Sequence, residues 1–298
     1  MALINAATLR GLAEDFRAIY DQEATKAPTF DIEPLTLTVT GNYKTFDLTY
    51  LLNYATIRDW VGDKDVQTII EGHQYIVTSK KKEATEAVDR YDILADNLGL
   101  YRPKIAALGS EATNYPMRLW ASTVEANGTC ADGLALFSAS HKLGKNTNSN
   151  LGSTAISTQA IIDTQNAMRA FVGANGLLLN VNPDTIVVPR SLEAKAKQLV
   201  GSDWEADTAD RDMNRIKDMF NVVYCPYLTD QKSWYMVDSS RGQIKPVVQA
   251  ILEPLHFIAN EAPFAEPVWN RAEFQYSVEG HMNMAPGFPW VIYKNAVS

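Results

Sequence analysis

The sequence is poor in the residues that build disulfide frameworks and metal sites, with only two cysteines and four histidines in 298 residues. We expect Cys130 and Cys225 to be small buried side chains in a protein made in a reducing cytoplasm. No HExxH, CxxC or other spacing supplies three or four metal ligands, and no glycine-rich phosphate loop or GxSxG elbow occurs. The sequence therefore predicts no metal and no cofactor.

Long apolar runs and a basic surplus are also missing. No stretch approaches 18 uninterrupted apolar residues, and the first residues lack a basic segment followed by an apolar run, so we expect no membrane contact and no signal peptide. The 27 Lys and Arg residues are outnumbered by 35 Asp and Glu residues, which gives a formal charge of −8. Tight nucleic-acid binding normally requires a basic surplus, so any contact with DNA should be weak.

Two short polar segments are the best candidates for chemistry. Ser138, Ser140 and His141 stand close together in sequence, but catalytic triads are assembled in space and not by adjacency, so we interpret His141 as a turn residue. The acidic residues between 203 and 212 are interpreted as a solvated loop, with a loose divalent-cation site as the alternative. The sequence thus predicts that the protein is not an enzyme.

Two helices stand out from the spacing of apolar residues. Residues 7–20 place Leu9, Leu12, Phe16 and Ile19 on one side of a helix, which must dock either on the main body or on a neighbouring chain. Residues 103–127 hold the same rhythm, and we expect a helix about 35 Å long that ends at Gly128. Pro116 should kink or split it, since proline removes an amide donor.

The region from about 35 to 90 reads as extended and irregular. Residues 36–40 alternate as a strand, 66–70 and 75–78 read as a hairpin, and a charged segment around Trp60 precedes them. The triplet Lys80, Lys81 and Lys82 is either a solvated strand end or a contact with acidic groups on a neighbouring subunit.

The second half alternates between helices and strands. Residues 144–154 predict a mobile surface loop, and Ser157 or Thr158 should cap a helix that ends near Gly173. We expect a second helix from Ser191 to Gly201. Strands are expected at 185–188, 221–225, 234–237, 247–252 and 288–293, with a further alternating stretch around 274–278.

Apolar residues occur in segments that cannot all face one core. Such surplus apolar surface is typical of subunit contacts, so the pattern favours an assembly protein. The expected assembly contacts are Leu9, Phe16, Arg58, Asp59, Trp60, Lys80, Lys81 and Lys82.

Several stretches resemble the major head subunit of Mu-like tailed bacteriophages. They are RDWVGDK at 58–64, GHQYIVT at 72–78, VDRYD at 88–92, ALFSASH at 135–141, VVYCPYL at 222–228, WYMVDSSR at 234–241, IKPV at 244–247 and the closing strands at 273–290. Together they follow the family's order over residues 58–293.

This resemblance implies an α+β chain with the Hong Kong 97-type capsid fold. On that fold, 1–44 is an N-terminal arm, 45–90 an extended loop with flanking strands, and 91–154 a peripheral domain with the spine helix. Residues 155–255 form an axial domain, and 256–298 return to the peripheral sheet. We expect the front third to be ordered only by lying across sister molecules.

The implied function is that of a major capsid protein, which forms the hexamers and pentamers of an icosahedral phage head. The implied partners are other copies of the chain, portal, scaffolding and decoration proteins, and packaged double-stranded DNA. The chain carries no N-terminal scaffolding segment, so a separate scaffolding protein or a processed chain is expected. The shell would assemble in the host bacterial cytoplasm and end in the virion. The alternatives are a nanocompartment shell of the same fold, a Ser/His hydrolase and a tail or baseplate component.

Overall fold

The computed structural model describes residues 6–42, 44–47, 75–95, 98–173, 176–205, 213–260, 262 and 266–297. This part of the chain contains two larger sheets, each packed against helices, and two short two-stranded sheets, which confirms the α+β class. The helices are α1 (Ala6–Ala24), α2 (Arg90–Leu94), α3 (Arg102–Ala126), α4 (Thr158–Arg169), α5 (Glu193–Gly201) and α6 (Glu266–Arg271). The strands are β1 (Thr36–Thr40), β2 (Thr45–Asp47), β3 (Ile76–Thr78), β4 (Lys80–Asp89), β5 (His141–Leu143), β6 (Asn146–Asn148), β7 (Leu151–Gly152), β8 (Thr185–Val188), β9 (Asn221–Tyr224), β10 (Trp234–Val237), β11 (Val247–Ala259), β12 (Glu273–Pro286) and β13 (Ile292–Asn295).

The first sheet has four strands in the order β1-β11-β12-β4. β1 runs parallel to β11, whereas β11, β12 and β4 are antiparallel neighbours. Helix α3 lies across one face of this sheet, and α1 packs on α3 and on the same face. Both outer strands, β1 and β4, have a strand partner on one side only within the described residues.

Helix α1 belongs to the core of its own chain. Leu9 and Phe16 are each only 1 % exposed, and the Phe16 ring meets the Tyr276 ring edge to face at 4.9 Å. Gly109 allows the close crossing with α3, because a Cβ there would lie 2.6 Å from the Tyr20 carbonyl oxygen. The expectation that the whole front third is ordered only on sister molecules is therefore wrong for α1.

Helix α3 is continuous from Arg102 to Ala126, so Pro116 does not split it, and the alternative expectation of a kink stays a prediction. The predicted end at Gly128 is off by one residue, because Asn127 adopts the left-handed conformation with φ 48°. Asparagine tolerates this conformation better than most residues, since its side chain can hydrogen-bond locally. The Asn127 side chain accepts a hydrogen bond from the Phe137 amide at 2.7 Å and so ties the helix end to the next segment.

The second sheet has five strands in the order β7-β13-β10-β8-β9, and α4 and α5 contribute to its hydrophobic core. Ser157 caps α4 as predicted, because its hydroxyl accepts a hydrogen bond from the Ala160 amide at 3.1 Å. Helix α4 ends at Arg169, four residues before the expected Gly173. Helix α5 begins at Glu193 rather than at Ser191.

The segment 144–154 is folded and not the mobile loop that its composition predicts. It contains part of the β5–β6 hairpin and the short strand β7. Asn150 is 1 % exposed, and its side chain bonds the Ser138 amide and the carbonyl oxygens of Leu136 and Pro289 at 2.7–2.8 Å. Polar side chains here replace missing backbone partners, which is why a polar sequence lies buried.

The chain passes between the two sheets near its end. The boundary expected at residue 255 falls inside β11, which already joins the first sheet at Val247. Of the residues expected to return to that sheet, β12 does so, whereas β13 joins the second sheet between β7 and β10. The predicted strand 288–293 is a 3-10 turn at Pro289–Val291 followed by β13. The predicted hairpin partner at 66–70 lies outside the described residues, and β3 pairs with β2.

Candidate assembly surfaces

The eight expected assembly contacts fall into three groups. Leu9 and Phe16 are buried inside the same chain and offer no surface to a neighbour in this structure. Arg58, Asp59 and Trp60 lie outside the described residues. Only the lysine triplet 80–82 stands on a described and accessible surface, where it forms the first three residues of β4.

The lysine triplet lies on an outer edge of the first sheet, beside α3. Lys80 and Lys82 point to the α3 face, because side chains two apart on a strand share a face and Lys82 lies over the Tyr115 ring at 5.4 Å. The Arg118 guanidinium lies 5.5 Å from the same ring and pairs with Glu111. We call this edge, defined by Lys80, Lys82, Tyr115 and Arg118, the β4 flank. Two cations, Lys82 and Arg118, lie over the Tyr115 ring, and the ring attracts them both.

The other flank of α3 carries a pocket of about 230 Å³ between the segment before β1 and the helix. Apolar side chains of Phe30, Ile32, Pro116 and Met117 line it together with polar residues that include Asp31, Glu33, Thr36, Thr38 and Gln249. Asp31 is held in place, since its carboxylate accepts a hydrogen bond from the Glu33 amide at 2.9 Å. We call this the β1 pocket. Among the described residues that line it, the charged ones are Asp31 and Glu33, so its charged lining is acidic.

One buried polar group in the β1 pocket has no partner among the described residues. Thr36 is 6 % exposed and its hydroxyl makes no hydrogen bond there. Thr36 and Thr38 share the α3 face of β1 with Gln249, the cross-strand neighbour of Thr38. A buried hydroxyl without a partner costs about 1–3 kcal/mol, so a ligand that bonds it would gain that much.

Large exposed apolar side chains occur on short segments beside both sheets. Tyr91, Leu100 and Trp269, on the short segments around α2 and α6, are 70 %, 63 % and 83 % exposed. In the second unit the exposed set comprises Leu177, Leu178, Trp204, Met213 and Met219. Single exposed apolar residues are ordinary, but several on neighbouring segments indicate a contact surface.

The Ser138–Ser140–His141 segment is not arranged for nucleophilic catalysis. His141 is buried, with Nδ1 2.5 Å from the Asp132 carboxylate and Nε2 3.2 Å from the Leu136 carbonyl oxygen. Both ring nitrogens therefore face acceptors, and neither is free to take a serine proton. The two serine hydroxyls face each other at 3.3 Å. Through these two contacts His141 holds the β5–β6 hairpin against the preceding segment.

The acidic stretch after residue 202 is only partly described, because 206–212 lie outside the described residues. Asp203 pairs with Lys217 at 2.5 Å, which lowers the pKa of the carboxyl, and Glu205 pairs with Arg215 at 2.6 Å. Within the described ranges no group of three or more His, Cys, Asp or Glu residues is placed to hold a metal ion. Among the same residues, no helix combines the length and apolarity needed to cross a bilayer.

The two sheets with a long helix across the first one form the Hong Kong 97-type capsid fold. The chain superposes on the subunit in the procapsid of bacteriophage JBD30 with a TM-score of 0.61. This match covers 99 % of the present chain and 77 % of the JBD30 chain, at 20 % sequence identity. At that identity the comparison shows the fold.

The chain belongs to the family of the Mu-like prophage major head subunit gpT, whose model matches residues 9–158, 152–228 and 229–297. It is similar to the major capsid protein of Escherichia phage Mu, with 24 % identity over 163 residues, or 54 % of this chain and 52 % of that protein. It is also similar to the Mu-like prophage FluMu major head subunit of Haemophilus influenzae, with 28 % identity over 148 residues. That match covers 49 % of this chain and 47 % of the relative, so the chain spans about half the length of each of these two relatives.

Sequence reasoning missed the β1 pocket and Trp269. The acidic residues Asp31 and Glu33 stand in a proline-containing stretch without periodicity, and only the paired strand β1 shows that they flank a pocket. For Trp269 the available signal was a tryptophan between acidic and basic residues just before a strongly alternating strand.

Proposed function

We propose that this chain is the major capsid protein of a Mu-like phage head, and that its copies assemble into the hexamers and pentamers of an icosahedral shell around double-stranded DNA. The observation that carries this proposal is the family match along residues 9–297 on a fold shared with capsid subunits. The role requires surfaces for several neighbours at once, and the two flanks of α3 and the exposed apolar residues supply candidates.

In this proposal the first sheet with α1 and α3 is the peripheral unit, and the second sheet with α4 and α5 is the axial unit. The segment 45–90 is the extended loop over a neighbouring subunit together with its flanking strands, and Arg58, Asp59 and Trp60 are contacts on that loop. Lys80, Lys81 and Lys82, at the base of that loop, are contacts as well. Each contact needs to bury only an ordinary interface area, about 1,600 Å², because a closed shell contains many copies of the same contact.

The proposed partners beyond sister subunits are portal, scaffolding and decoration proteins. Packaged DNA is a further partner, held by weak contacts, since the net charge of −8 disfavours tight phosphate binding. Such weak contact suits a container, because DNA must slide in during packaging and leave during infection.

The test is expression of the full chain in a bacterial host, alone and with a scaffolding protein from a Mu-like phage. Sedimentation and negative-stain microscopy should show closed shells in at least one of the two preparations. A chain that stays monomeric at high concentration in both would refute the proposal, and tubes or open rings would favour a tail component. Shells that carry an enzyme rather than nuclease-protected DNA, after production by a whole induced prophage, would favour a nanocompartment.

A further inference from the structure

The two flanks of α3 carry complementary features on opposite edges of one sheet. The β1 pocket is acidic and contains an unpartnered buried hydroxyl, whereas the β4 flank presents Lys80 on the same face of the sheet. Lys80 is exposed, and within the described part of the chain neither it nor Lys81 forms an ion pair. Lys82, by contrast, lies over the ring of Tyr115 in its own chain.

We infer that the β1 pocket of one subunit receives the Lys80 side chain of a second copy. This inference rests on the proposed function, and it names the residues of one contact between sister subunits. The Lys80 ammonium lies between the carboxylates of Asp31 and Glu33, and the Thr36 hydroxyl accepts one of its protons. Its methylene stem covers the apolar wall formed by Pro116 and Met117.

The size and chemistry of the pocket fit this occupant. A volume of about 230 Å³ is far more than one water molecule needs, so the space admits a long side chain. Lysine combines an apolar stem with a charged tip, which matches a pocket that has an apolar wall and an acidic rim. An ammonium group has three donors and no acceptor, so it can satisfy both carboxylates and the orphaned hydroxyl together.

The placement of the two surfaces also determines how copies would be related. Within one chain the β1 edge cannot meet the β4 edge, because β11 and β12 lie between them and hold β1 and β4 about 14 Å apart. The contact therefore joins different surfaces of two copies. A head-to-tail contact of this kind closes into a ring or continues as a filament, and hexamers and pentamers are rings of this kind.

A cross-linking trap tests the contact directly. In the variant Glu33→Cys/Lys80→Cys, shells treated with a short bismaleimide should show a ladder of cross-linked chains on a denaturing gel. A direct disulfide would not report this contact, because it needs Cα atoms within about 7 Å and an extended lysine stem that reaches a glutamate holds them farther apart. A link within one chain would not produce a ladder. The native Cys130 and Cys225 are buried and should not react. The matched control Glu33→Cys/Lys81→Cys, with the second cysteine on the opposite face of the strand, should not form the ladder.

Charge reversal gives an independent measurement. Lys80→Glu and Glu33→Lys should each reduce the assembled fraction at least about tenfold near the wild-type assembly threshold, which corresponds to about 1.4 kcal/mol per contact. The double variant should recover assembly, and Lys81→Glu should assemble as the wild type does. If the cysteine variant does not assemble, recovery by the double charge variant supports the inference and its failure overturns it.

The outcomes separate this inference from the proposed function. Wild-type shells that show neither a ladder nor charge rescue would overturn the inference and leave the capsid role standing. Normal shells with equally reduced DNA content in Lys80→Glu and Lys81→Glu would assign the triplet to DNA and overturn the inference as well. If the wild-type chain formed no shells under any condition, both would fail.

Discussion

Truncation of Phe16 distinguishes a helix held by its own chain from a helix ordered only by neighbours. In the structure the Phe16 side chain is 1 % exposed and packs against Tyr276 on β12, while Leu9, Leu12 and Tyr20 continue the same buried stripe. Phe16→Ala removes this ring and leaves a cavity between α1 and the first sheet. The isolated chain should therefore lose stability.

The expected loss of stability follows from the burial and packing of the Phe16 ring. Truncation of a buried phenylalanine costs about 3–5 kcal/mol, and Phe16 should fall within that range because it is fully buried and lies edge to face with Tyr276. Since a domain is stable by only about 5–15 kcal/mol in total, the loss should be plain in a urea titration of dilute chain below its assembly threshold. The exposed neighbour provides the control, as Arg17→Ala should change stability by less than about 0.5 kcal/mol.

Hydrogen exchange gives the decisive readout. Amides of α1 in the dilute wild-type chain should be protected, and Phe16→Ala should accelerate their exchange more than that of the second sheet. If α1 amides in the wild-type monomer exchanged at unfolded rates, and if Phe16→Ala left the urea midpoint unchanged, the helix would be ordered only on assembly. The docking described here would then be refuted.

Three further predictions concern stability. Gly109→Ala should destabilise the chain, because a Cβ there would lie 2.6 Å from the Tyr20 carbonyl oxygen. Gly11→Ala has open space around it and should stabilise α1 by about 0.5–1 kcal/mol. Equal effects of the two variants in urea titrations would contradict the close crossing of α1 and α3. Asn150→Ala should cost about 2–3 kcal/mol in the same assay, since it leaves the Ser138 amide and the Pro289 carbonyl oxygen without the partner that the side chain supplies, and an unchanged midpoint would mean that water replaces the side chain. Burial raises the pKa of the Cys225 thiol to about 11, so above pH 9 the unfolded chain releases a proton that the folded chain keeps, and stability should fall with pH. Cys225→Ala should flatten that fall by up to about 1.4 kcal/mol per pH unit, and an identical slope would contradict the assignment.

Sequence patterns predicted the four longer helices and most strands, because apolar periodicity and capping residues are local signals, whereas the short helices α2 and α6 were not predicted. Helix α3, the strands β1, β8 and β10, and the Ser157 cap are all where the pattern places them. The docking of α1 was left open between two partners, since the complementary surface lies on α3 and on strands that are distant along the chain.

The errors share one physical cause. Residues 144–154 look like a solvated loop because they are polar, yet Asn148 and Asn150 lie buried and bond the backbone of distant segments. Likewise, β13 carries an ordinary apolar strand pattern, and nothing local distinguishes the two sheets that it might join. In both cases the structure depends on residues that are distant along the chain, which a local pattern does not show. The β1 pocket is hidden for the same reason, since its lining comes from three separate parts of the chain.

The docking of α1 within its own chain changes what a shell contact has to provide. Ordering a helix of 19 residues costs about 1–2 kcal/mol of backbone entropy per residue, and here the core of the same chain offsets that cost. A neighbouring subunit then needs to order only the side chains at the contact. Contacts such as Lys80 with the β1 pocket can therefore be individually weak and quickly reversible, because long side chains near solvent gain little from each ion pair. Weak contacts let a misplaced subunit leave before the shell closes, and the many contacts of a closed shell hold it together afterwards.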